Sequence, residues 1–83
     1  MNELLEERGK THGDFSMNAM YAQLLRDIWR KGPSWTQMND EQREALDNIA
    51  LKLSRILSGQ ADFADHWIDI CGYSSLASKA CEK

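Results

Sequence analysis

Eighty-three residues, 42 % of them hydrophobic and 28 % charged, read as one soluble globular domain over 1–83, small enough that oligomerisation is an expectation from size alone. Ten basic against thirteen acidic residues leave a net charge of −3, which argues against general DNA or RNA binding and suits a basic protein partner or a metal bridging acids to a phosphate. No run of about 18 apolar residues reads as a membrane span, and the N-terminus, charged from Glu3 onward, does not read as a signal peptide; the expectation is a cytoplasmic protein.

In chain order, a short leading helix is predicted at Asn2 to Arg8, ended by Gly9. KTHGD (10–14) then reads as a polar turn in which Gly13 takes a positive φ and Asp14 or Ser16 caps the next helix. That helix runs to about Lys31 and carries Phe15, Met17, Met20, Tyr21, Leu24, Leu25, Ile28 and Trp29 at spacings of three and four, the period of an amphipathic helix. These residues fall on two sides of it, more apolar surface than one small bundle hides. Gly32-Pro33 stops the helix, with Gly32 expected at C′ with positive φ. Ser34 to Met38 is a predicted loop containing Trp35. Asn39 should cap the next helix, with Gln42 completing a capping box, Leu46, Ile49, Leu53, Ile56 and Leu57 as the buried stripe, and Gly59 as terminator. Asp62 is predicted to start the last helix, which carries Phe63, Trp67, Ile70, Cys71, Leu76 and Ala77, with Trp67, Ile70 and Cys71 read as core, and frays after Ala80. Nothing alternates with period two. The fold class is therefore all-α: a small bundle of three main helices plus a short N-terminal helix, with antiparallel neighbours.

Two sets of polar residues stand apart from the general solvated face. Asn48, Lys52 and Arg55 fall at i, i+4 and i+7 beside the leucine stripe, and Asp62, Asp65 and Asp69 repeat that arrangement on the last helix. The short GQADFA connection makes these helices neighbours, so a basic ridge faces an acidic one. Either the ridges pair and fix register, or the carboxylates hold a magnesium ion while Lys52 or Arg55 contacts a phosphate. His66, three residues before Asp69, can be held by that acid. Cys71 and Cys81 would lie about 15 Å apart on one helix, beyond disulfide reach, and read as small half-buried residues. No zinc spacing and no nucleophile–base pairing can be assembled from the chain.

Three ordered segments, ERGKTHGDF at 7–15, KLSRILSG at 52–59 and DHWIDICGYSSLA at 65–77, resemble a family of small phage and prophage helical proteins. Its pattern is ERG-x-x-(Y/H)-G-D-F, then K-L-x-R-I-x-x-G, then D-x-W-x-D-I-x-G-Y. That resemblance implies a phage or prophage origin, and so the host-cell cytoplasm, without implying an activity. More distantly, LDNIALKLSRI at 46–56 followed by the DICGY helix is similar to the layout of MazG-like all-α nucleoside triphosphate pyrophosphohydrolases. This second resemblance implies dimers or tetramers of helical bundles, and four acids holding magnesium so that water attacks the α–β phosphate linkage. Residue by residue, Asp69 matches the closing Asp of the late acid–x–x–Asp motif. His66 stands where the carboxylate three residues earlier is expected, with Asp65 beside it. An alternative alignment uses Glu41-x-x-Glu44 and Asp62-x-x-Asp65.

Three functional readings follow. One is a magnesium-dependent nucleotide-binding protein or pyrophosphohydrolase built on Lys52, Arg55, Asp62, Asp65 and Asp69, with His66 and Asn48 in support. Another is a non-enzymatic protein that binds a host protein, with Trp35 in the 32–39 loop as a contact candidate. The third is a structural homo-oligomer.

Overall fold

The computed structural model describes residues 10–81. The expected leading helix at Asn2–Arg8 lies outside the described residues. Three helices follow: α1, Phe15–Arg30; α2, Asp40–Ser58; and α3, Ala64–Ala80, with a 3-10 turn at Trp35–Gln37 between the first two. Among the described residues there is no strand, and no helix is long and apolar enough to cross a membrane.

Local chemistry explains most boundaries. Asp14 caps α1, its carboxylate accepting from the Met17 amide. Asn39 and Gln42 form the capping box of α2, at 2.8 Å for Asn39 Oδ1 and 3.0 Å for Gln42 Oε1. Gly59 closes α2 as expected. Four boundaries differ from the sequence reading. Residues 10–12 of the expected KTHGD turn are helical, and the chain breaks only at Gly13-Asp14. Gly32 does not take a positive φ; among the described residues only Gly13 does, at 81°. The end of α1 tightens instead into i→i+3 bonds, Lys31 to Ile28, Gly32 to Trp29 and Trp35 to Gly32, which satisfy its last carbonyls without a left-handed residue. Two further bonds of the same kind, Gln37 to Ser34 and Met38 to Trp35, turn the expected 34–38 loop into the 3-10 turn. Finally, α3 begins at Ala64 rather than Asp62, because the Gln60–Phe63 turn, closed by Phe63 N–H donating to Gln60 O, occupies that stretch.

α2 lies between the other two helices, antiparallel to both, and α1 and α3 scarcely meet each other. Arg26 and Arg30 reach Asp47 from α1, while Asn39 and Gln42 at the start of α2 touch Ala80 and Cys81 at the end of α3. A helix packed on two sides cannot bury one leucine stripe. By helical phase, Ala50 and Ser54 face α1, and Ala45 and Ile56 lie nearly opposite, toward α3; all four are buried. Small residues dominate these contacts, with Ala22 and Ala80 buried on the outer helices, so the backbones approach closely and bulky side chains are displaced to the margins.

The expected core is corrected accordingly. Of the α2 stripe, Ile56 is buried, Leu46, Ile49 and Leu53 are half-buried, and Leu57 is exposed. On α3, Trp67 and Cys71 are exposed rather than core and Ile70 is half-buried, while Leu76 and Cys81 are exposed too; both thiols are free. On α1, Phe15, Met17, Met20, Leu24 and Ile28 are exposed, which agrees with the surplus of apolar surface read from the sequence.

The connections interlock through two glycines. A Cβ on Gly13 would stand 2.6 Å from the backbone of Ser58, and one on Gly59 would stand 2.6 Å from His12 and Gly13. The first helical turn and the α2–α3 connection therefore meet backbone to backbone, which only glycine permits. Gly13→Ala adds a side chain at a positive φ and forces this contact apart. It should lower stability by about 2 kcal/mol or more, a fall in Tm of roughly 10 °C, measured by thermal unfolding of the folded variant.

Candidate functional site

His66 is the largest fully buried side chain, 1 % exposed. It was expected to stand beside Asp69 as an interface residue, and its partner is instead remote in sequence. The Nε2–H of His66 donates to the Thr11 carbonyl at 3.0 Å, and the same carbonyl accepts from the Gln60 amide at 3.0 Å. The His66 ring meets His12 edge-on at 4.7 Å between centroids and Phe63 at 4.9 Å. Thr11 Oγ1 is hydrogen-bonded to His12 Nδ1. Ser58 Oγ bridges α2 to α1, lying within hydrogen-bond reach of Asn18 Oδ1 and of the Ser54 carbonyl, with one proton to serve either. The three segments singled out in the sequence thus converge at one end of the molecule: 11–13, 58–60 and 66.

The two ridges do not form one site. Lys52 and Asp69 pair at 2.9 Å, the expected facing of basic on acidic. That ammonium, hydrogen-bonded to Asp69, holds its carboxyl below the ordinary Asp range. Arg55 lines a cleft between α1 and α2 with Phe15, Asn18, Arg26 and Leu51, while its charge still helps Lys52 to lower the Asp69 carboxyl. Asn48 donates back to the Glu44 carbonyl and borders a groove with Glu41, Glu44, Tyr73 and Leu76. Asp62 sits in the turn before α3 and Asp65 in its first turn, both exposed. Among the described residues no three acids, histidines or cysteines come together in a way that would hold a metal ion.

Trp35 is half-buried and stapled in place. The Arg43 guanidinium lies 5.5 Å and that of Arg30 6.0 Å from its ring centre. Arg43 also donates to the Trp35 and Thr36 carbonyls at 3.0 and 2.9 Å. Neither Arg43 nor the Arg26–Arg30–Asp47 cluster was anticipated; the available signal was the i, i+4 arginine pair on α1 opposite an acid on α2.

A different feature has the extent of a site. Met17, Met20, Leu24 and Ile28 follow one another at spacings of three, four and four, and each is between 43 and 64 % exposed. They form a continuous apolar row about 16 Å long on α1. No family model, curated protein or solved structure matches the chain.

Two outcomes follow from this geometry. His66→Ala empties a packed position and strips Thr11 O of one donor, which should cost about 3 kcal/mol in chemical denaturation, while His66→Phe keeps the ring and should cost only about 1 kcal/mol. The Asp69 pKa is depressed in the folded state, so the pair's stabilisation is present above about pH 4 and is lost as pH falls through the folded-state pKa. Asp69→Asn should therefore unfold at a lower temperature than wild type at pH 7, and the difference should vanish in acid, as thermal scans across pH 2–7 would record.

Proposed function

We propose that this protein is a non-catalytic interaction module of the small phage-protein kind, which docks on a host protein through α1. The observation that carries this reading is the Met17–Met20–Leu24–Ile28 row. Four large apolar side chains on one helix face are what a helix-in-groove contact uses as anchors. Two of the four are methionines, whose flexible thioethers adapt to an irregular groove. The occupant is thus an apolar groove on a larger protein, long enough to take three turns of helix. Trp35, held by Arg30 and Arg43 just past the end of α1, is a second, half-buried contact candidate.

The magnesium-dependent pyrophosphohydrolase reading has less support. It asks for several carboxylates around one ion, whereas among the described residues no three candidate ligands come together, and Asp69 is engaged by Lys52.

A photo-crosslinking residue placed at Leu24 in bacterial cells should give one discrete adduct with a larger protein. The same residue at Gln23 should give none, and Met20→Glu should abolish the Leu24 adduct while leaving helical content unchanged. Absence of an adduct, an adduct at twice the chain mass, or magnesium-dependent pyrophosphate release from a panel of canonical and modified nucleotides would each overturn the reading.

A further inference from the structure

Gly72 is used differently from Gly13 and Gly59. Gly72 lies within α3, where glycine is less favourable than alanine, and a Cβ built on it meets no atom within 4 Å. Nothing among the described residues requires its small size. Yet the surface is hollow there, a shallow depression lined by Ile68, Asp69, Gly72, Tyr73, Ser75 and Leu76. The helix itself is apolar on more than one side, so its solvent face is not the charged face that a surface helix ordinarily presents.

Gly72 is also the midpoint of α3, Ala64–Ala80. Counting outward, Ile68 and Leu76 stand four residues away on either side, and Asp65 and Lys79 stand seven. All five positions are exposed, and their intervals of three, four, four and three keep them on one helical ridge. The ridge is therefore symmetric in apolar character about Gly72 and antisymmetric in charge. An antiparallel copy of the same ridge places Gly72 against Gly72, Ile68 against Leu76, and Asp65 against Lys79. Each of the last two contacts occurs twice, as an isologous interface demands.

We infer that α3 is a homodimerisation helix, crossing its counterpart in a second copy of this chain about a two-fold axis at Gly72. The missing side chains let the two backbones approach at the crossing. A shallow crossing angle, about 20°, keeps the ridge in contact along its length and brings the terminal charges within reach of each other. The depression beside Gly72 receives the partner's Ile68 and Leu76. This surface is separate from the α1 row, so a dimer leaves both α1 faces open to other proteins and makes the assembly bivalent toward them.

The charges discriminate this arrangement from a plain helix effect. Asp65 in the first turn and Lys79 in the last also suit the helix dipole, so either single reversal weakens α3 as well as the dimer. The double variant D65K/K79D is unfavourable for the dipole at both ends, but it restores opposite charges across the two-fold axis. Recovery of association in that variant cannot come from helix stability.

The test is sedimentation equilibrium of the full chain at neutral pH and low salt. Wild type should be a dimer at micromolar concentration. Gly72→Leu should be a folded monomer, and Gly72→Ala should raise the Tm of the monomer at high dilution while weakening association. D65K and K79D should each raise the dimer dissociation constant roughly tenfold or more, and D65K/K79D should return it to near the wild-type value. A wild-type monomer at ~100 μM, well above the range expected of a specific dimer, overturns the inference. So does a Gly72→Leu dimer, or a double reversal no better than the singles. A dimer abolished by Leu24→Glu but not by Gly72→Leu would move self-association to α1 and overturn this inference together with the α1 docking reading, whereas failure of the Gly72 and charge variants alone leaves that reading standing.

Discussion

The Thr11 carbonyl is the point on which the arrangement of the helices depends. It accepts from the Gln60 amide and from the buried His66 ring, so one oxygen ties the turn before α1 to the α2–α3 connection and to the first turn of α3. Around it, Gly13 and Gly59 bring two backbone segments closer than any side chain would allow, and Ser58 links the end of α2 to Asn18 on α1. A buried imidazole is costly unless its polar atoms are bonded, and a carbonyl with two donors is fully satisfied. Each group answers the other's requirement, which makes the joint specific as well as stable.

That joint sets the spacing of everything beyond it. With the helices held close at one end, the surfaces between them are filled by Ala22, Ala45, Ala50, Ser54 and Ala80, and bulkier apolar residues are left at the edges. The exposed Met17, Met20, Leu24 and Ile28 on α1, Leu57 on α2 and Ile68 and Leu76 on α3 are the consequence. Close packing of small residues buries limited apolar area per helix, and a chain of this size has little area to spare. Both outer helices therefore carry exposed apolar side chains.

The charged ridges illustrate how packing sorts residues that look equivalent in sequence. Lys52 and Arg55 are one turn apart on the same helix, yet Lys52 neutralises Asp69 on α3 while Arg55 borders the cleft with α1. Half-exposed ion pairs of this kind contribute modestly and mainly fix register.

The α2 caps, Asn39–Gln42 and Gly59, the order of the helices and the all-α class were determined by sequence alone, because such caps act on backbone groups within a few residues of themselves. Gly13 belongs with them, since its positive φ follows from the THGD turn. The facing of Lys52 and Asp69 was legible too, from ridge spacing and a short connection. What only the tertiary structure decided was burial: which face of α2 is inside, that Trp67 and Cys71 point outward, and that His66 is the buried hub. Periodicity shows that a helix has an apolar side, but a central helix with two neighbours has two buried sides, and small residues rather than leucines let both neighbours approach. The partner of His66 is 55 residues away in the chain, a distance over which no local pattern carries information.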